Sequence, residues 1–424
     1  MKPVMTIIFN KVRSIYFKAR SSGGGLTDCH RLFVPSILPH LPCRTAKRFL
    51  ENSMREQAGT ITIFLAAALL FLLANACKKD KSGPVDQPYT KLVFERSDTL
   101  SRPRSEIAAA AAGNKILFAG GGSLQGAEVY DIVDIYDVET GRWSVTHLSV
   151  PRHSLAAAVA GTRIFFGGGQ ESGNNVVSDV VDVYDVATGS WSVLHLSKAR
   201  AGLTAAAAGN KVVFAGGVEF NNGVQAYSKV ADIYDLSTGT WTVAELSGPR
   251  FLPVGAAAGN KLLFAGGAAS PTVISDLVDI YDVSAGTWSV ARLSEAKYQT
   301  AVATTGNRIF FGGGANLNGF SSKVDIYDAG AGTWTASSLS IQRGGLCGVS
   351  LGNFVVFAGG VNPGGFYEII DVFNSTTDSW STATLSEKRA RSAGAGASDK
   401  ILIAGGISAG NHVSNTVDIY RLSN

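Results

Sequence analysis

Seven times along this 424-residue chain an apolar run ends in a Gly-Gly pair, beginning at Gly120, Gly168, Gly216, Gly266, Gly313, Gly359 and Gly405, at spacings of 46 to 50 residues. All six tryptophans follow the same period, Trp143, Trp191, Trp241, Trp288, Trp334 and Trp380, each preceded by an aromatic seven residues earlier (Tyr136, Tyr184, Tyr234, Tyr281, Tyr327 and Phe373). A period of this length means that each repeat is one supersecondary unit, which buries its apolar faces by stacking on its neighbours.

Each repeat divides into four short β-like segments. In the second they are "SLAAAVAG" from Ser154, "TRIFFGGG" from Thr162, "VVDVYDV" from Val180 and "SWSVLHLS" from Ser190. Segments one and two meet at Gly-Asn-Lys or Gly-Thr-Arg, and segments three and four at Thr-Gly or Ala-Gly, both tight hairpin chemistry. Segments two and three are joined by a stretch that differs in every repeat. The first segment is nearly all Ala, Gly and Ser, as in "EIAAAAAG" and "SAGAGAS". Such residues suit strands that converge on an axis, while Tyr and Trp fill the wider spaces farther out.

This pattern of Gly-Gly, a variable loop, Tyr, six residues and Trp resembles the kelch repeat and covers residues 89–424. The resemblance implies an all-β fold, a closed β-propeller of four-stranded blades. Seven Gly-Gly pairs and seven third segments, the last at Thr416 to Tyr420, meet only six Trp segments. The stretch "TKLVFERSDTLSRPR" from Thr90 aligns with a fourth segment through Leu100, Ser101 and Arg104. A seven-bladed ring is therefore expected, closed by the N-terminal strand, which removes the open edges of a linear array.

The formal charge of +4 belongs to the leader. Residues 1–76 carry 10 Lys and Arg against 3 Asp and Glu, so from Cys77 onward 27 basic residues meet 30 acidic ones. A nucleic-acid partner is not expected, because phosphate-tracking proteins concentrate positive charge on one face. The uncharged run Ala58 to Cys77 follows the basic Arg55 and ends on a small residue before cysteine, the order of a secretory signal. With the polar 78–88 behind it, it resembles a bacterial lipoprotein signal, which implies lipidation of Cys77 and a membrane-anchored, extracytoplasmic body. Asn75 departs from that pattern, and a plain anchor or an ordinary cleaved signal is the alternative. Residues 1–53 then precede a start at Met54 and fall outside the mature protein; 54–77 is the signal, 78–88 the linker and 89–424 the propeller. One cysteine, Cys347, lies in the body, too few for a disulfide framework.

The Asp-x-Tyr-Asp pairs (Asp134/Asp137, Asp182/Asp185, Asp279/Asp282) could suggest metal or acid–base chemistry, but a feature of nearly every repeat reads as structural, the second Asp opening the following turn. Seven repeating cations, Arg104, Arg152, Arg200, Arg250, Lys297, Arg343 and Arg389, either form an electropositive ring or pair within the fold. Variation concentrates on the face that carries the 2–3 loops and the crossovers between repeats. There Asn174, Asn221, Asn316, Phe366 and Asn411 are candidate binding residues, together with Tyr298 and the axial positions Glu106, Ser154, Gln299 and Arg391. The expectation is a non-catalytic module that binds a protein or a glycan and needs no cofactor or metal. The alternative that the resemblance implies is a carbohydrate-active enzyme, an isomerase of sialic acid using Glu106 and Arg391 or, less in keeping with one Cys and few His, a copper oxidase.

Overall fold

The computed structural model describes residues 89–123, 128–173 and 175–424. The leader, the signal-like segment with Cys77, the linker 78–88 and Asn174 lie outside the described residues. Among the described residues no helix is long and apolar enough to cross a membrane.

After β1 (Lys91–Thr99), the first blade is β2 (Ala108–Ala112), β3 (Lys115–Ala119), β4 (Ile132–Asp137) and β5 (Arg142–His147), hydrogen-bonded in that order and antiparallel throughout. Five further blades repeat the arrangement. The seventh is made of Ala393–Ala397, Lys400–Ala404, Thr416–Ser423 and, outermost, β1. The pairing of β1 runs from Lys91 opposite Ser423 to Thr99 opposite Thr416, with a bulge between Phe94 and Arg96. The fold is thus a seven-bladed β-propeller closed by its N-terminal strand, as the imbalance of repeats predicts.

The residue types follow the radius. At the closest approach of two first strands only glycine fits: a Cβ on Gly348 would run into the main chain of Val302. Second and third strands are sandwiched between blades and buried on both faces, as in β3 and β4. Tyr136 stands directly opposite Trp143 with ring centroids 5.0 Å apart, and the pair packs on Leu402 and Ala395 of the seventh blade. Every later blade but the last repeats this pair.

The repeating cations are not an electropositive ring. All seven are wholly buried, and each reaches the aspartate two residues before the third-strand aromatic in the blade it leads into: Arg104 to Asp134, Arg152 to Asp182, Arg200 to Asp232, Arg250 to Asp279, Lys297 to Asp325, Arg343 to Asp371 and Arg389 to Asp418. Arg152 also donates to the carbonyls of Gly168 (2.7 Å) and Val180 (2.6 Å). The same Asp accepts from the serine of the Leu-Ser-x-x-Arg motif, as Asp182 does from the Ser149 N–H at 3.1 Å. A charge removed from water needs such partners, although the Nε of Arg152 has none. The second Asp opens the 3–4 turn, Asp137 accepting from the Thr140 N–H at 2.9 Å.

Candidate functional site

The 1–2 and 3–4 turns lie on one face, here the turn face; the 2–3 connections and the crossovers lie on the opposite, mouth face. The 2–3 connections expected as loops are small hairpins. Five contain two-stranded sheets, such as Val218–Asn221 with Val224–Tyr227 and Ala315–Asn316 with Gly319–Phe320. In the first two blades a single bridge, Gly122 to Val129 and Gln170 to Val177, does the same. Tight tips explain the Asn and Gly content: Asn222 and Asn411 adopt left-handed φ of 52° and 61°. Asn316 Oδ1 accepts from the Asn318 N–H at 2.8 Å and so shapes its own turn.

At the axis, the second residue past each buried cation is left-handed in all seven blades, with φ between 51° and 64° at Glu106, Ser154, Gly202, Leu252, Gln299, Gly345 and Arg391. This conformation lets the main chain form a belt around the mouth. The N–H of Ser154 donates to the Glu106 carbonyl, Gly202 to Ser154, Leu252 to Gly202, Gly345 to Gln299 and Arg391 to Gly345, at 2.8 to 3.1 Å. Two of the seven junctions lack this bond. At the seam between blades seven and one, Arg391 Nη1 donates instead to Glu106 Oε1 at 3.0 Å.

The seam holds the densest polar cluster of the mouth. Glu106 Oε2 accepts from Ser154 Oγ at 2.6 Å and lies 2.9 Å from His153 Nδ1, which is 3.0 Å from Ser154 Oγ. The His153 hydrogen bond, with help from Ser154 and Arg391, holds the Glu106 carboxyl at about 2, below its ordinary 4.5, against the opposing effect of burial. Such a carboxylate is a weak base and already has three hydrogen-bond partners. The cluster acts as a brace across the seam, and the geometry does not favour proton transfer by the Glu106/Arg391 pair.

Of the residues expected from sequence, Glu106, Ser154 and Arg391 meet. Gln299 and half-buried Tyr298 belong to the junction between blades four and five. Asn221, Asn316, Phe366 and Asn411 are spread over the hairpins of blades three, five, six and seven and share no single pocket. His153 escaped sequence reasoning because its partners come from the preceding crossover; its place one residue before a mouth position is the signal that could have found it. Most aromatics of the face fall in blades three to six: Tyr227 and Phe251, edge to face at 6.3 Å, then Tyr298, Phe320, Phe366 and Tyr367, while Tyr130 lies in the 2–3 connection of blade one. The mouth face therefore has the Glu106, His153 and Arg391 cluster at the seam and most of its aromatics across from it. Along the axis, the first strands of blades four to seven, with Ala111 of blade one, line a cavity of about 280 Å³.

The family description KLHDC2/KLHL20/DRC7 Kelch-repeats domain matches residues 106–297, the first four blades up to the buried Lys297. Over these blades the propeller is similar to kelch-repeat domains. Kelch domains generally mediate protein interactions. No curated protein gives a significant match to the chain.

Proposed function

We propose that this kelch propeller is a non-catalytic module that binds a protein partner through its mouth face. The observation that carries the reading is the contrast between faces. The turns of one face repeat closely, whereas the mouth hairpins vary in length among the blades and differ in tip and side chains from one blade to the next. Selection for folding alone would act on both faces alike; a surface tailored to one ligand varies from blade to blade. Exposed amides such as Asn221 and Asn411 beside half-buried aromatics such as Tyr298 and Phe366 give adaptable hydrogen bonds around flat anchors. The same mixture suits a glycan, which is the competing ligand class.

A photo-cross-linking residue placed singly at Asn221, Asn316 and Asn411, and for comparison at Thr188 and Thr238 on the turn face, tests this in cells. Cross-links to one protein from the mouth positions alone are expected; cross-links from the turn face alone would reject the reading.

The address of the module is proposed from the N-terminal sequence: Cys77 carries a lipid and the propeller works outside the cytoplasm of a bacterium, tethered by 78–88. Labelled palmitate should enter the wild-type protein and not Cys77→Ser, which should move to the soluble fraction. Palmitate incorporation into Cys77→Ser would remove the basis for the tether.

A further inference from the structure

The main-chain belt has one junction that nothing closes. Between Leu252 and Gln299, at blades four and five, the expected bond from the Gln299 N–H to the Leu252 carbonyl is missing. No side chain replaces it, in contrast to the seam, where Arg391 reaches Glu106. Among the described residues the Gln299 N–H finds no acceptor and the Leu252 carbonyl no donor. Both residues are held in the left-handed region, at 53° and 51°, so the donor and acceptor are fixed in place on a half-buried ledge. Leucine and glutamine are there at a cost that glycine would avoid.

Two further features converge on this opening. It is the junction whose crossovers carry aromatic residues just before the mouth position, Phe251 and Tyr298, where other blades have Ser105, His153, Ala201, Gly344 and Ala390. Phe251 is already committed, since its ring lies across Gly202 and meets Tyr227. The first strands of these two blades also help to line the axial cavity of about 280 Å³, through Gly255, Ala257, Val302 and Thr304, with Gly348 and Gly394 of blades six and seven. Its wall is main chain and small side chains.

We propose that this opening is the entry site for a loop of the partner protein, which bridges the belt with one of its own peptide groups and places a small residue in the axial cavity. A peptide group offers one C=O to the Gln299 N–H and one N–H to the Leu252 carbonyl, the pair that the open junction lacks, and the glycine-rich wall admits a tip with little side chain. The proposal rests on the protein-binding reading above and assigns it a place and a partner geometry.

The test is a selection of short disulfide-closed loops, displayed as a random library, against the full chain. Loops with Gly, Ala or Ser at the tip are expected, with affinity falling at least about tenfold in Val302→Phe, which plugs the cavity, and in Tyr298→Ala, and unchanged in Thr188→Ala on the turn face. Because Val302→Phe could disturb the first strand, the wild-type protein supplies a second readout: the bound loop should slow amide exchange in the segment containing Gln299. Binders indifferent to Val302→Phe and Tyr298→Ala that leave Gln299 exchange unchanged would overturn the site while the protein-binding reading stands. Competition by N-acetylglucosamine oligomers, and not by linear peptides, would overturn the partner class. A library that yields no binder would overturn both.

Discussion

The backbone N–H of Gly406 in the seventh blade donates to the carbonyl of Arg104 at 3.1 Å, while the Arg104 side chain is buried against Asp134 of the first blade. The same rivet recurs at every junction: Gly121 to Arg152, Gly169 to Arg200, Gly217 to Arg250, Gly267 to Lys297, Gly314 to Arg343 and Gly360 to Arg389. One residue thus holds two blades, its main chain fastened to the blade behind and its side chain to the blade ahead. In this rivet the seam matches the other six junctions.

Breaking one rivet should be expensive. Arg152→Met leaves Asp182 buried without its counter-charge and is expected to lower stability by about 3–5 kcal/mol, the range for half of a buried pair removed. Adding Asp182→Asn should restore part of the loss. Denaturant unfolding of the two variants measures both effects.

The seam predicts dependence on the N-terminal strand. Without residues 89–99, the strand Thr416–Ser423 loses its outer partner and the ring carries an unpaired edge. Such a protein should aggregate or unfold at lower temperature, and a synthetic peptide spanning Lys91–Thr99 should restore solubility by size-exclusion chromatography.

The mouth brace predicts an acid limb. Glu106 is held at about 2 in the folded protein against an ordinary 4.5. A carboxyl depressed by folding stabilises above its unfolded value, and that contribution is lost as pH falls from about 4.5 towards about 2. Glu106→Gln should therefore lower stability at neutral pH by about 1 kcal/mol and flatten the decline below about 4.5. Thermal melts of both proteins across that window give the comparison.

Burial in the first strand of blade six pushes the Cys347 thiol up to about 12. At pH 8 the peptide containing Cys347 should resist iodoacetamide in the native protein and label fully in guanidinium, as read by mass spectrometry. Rapid native labelling would mean that the inner strands open locally.

Much of this fold is legible in the chain because the contacts within a blade are hairpins, close in sequence and marked by turn residues. The closing strand is legible from the missing seventh tryptophan and from the match of Leu100-Ser101-x-x-Arg104 to the later crossovers. The role of the repeating cation is legible only as a choice between a ring and a pair within the fold, and the burial of Arg152 against Asp182 decides for the pair. The mouth is harder still. Its left-handed backbone is hinted at only by Gly202 and Gly345, and the meeting of Glu106 with His153 and Arg391 depends on crossovers from three different junctions. The amide-rich loops suggested a binding face, and the structure adds that their asparagines partly serve the hairpin tips.

The most direct test of the account is the affinity of the cross-linked partner for two multiply substituted proteins. In one, Gln299, Asn316, Phe366, Arg391 and Asn411 on the mouth face become Ala; in the other, Thr188, Thr238 and Thr377 on the turn face do. The account predicts a loss of at least about tenfold, about 1.4 kcal/mol, for the first protein and none for the second. Undiminished binding by the first together with loss in the second would contradict it.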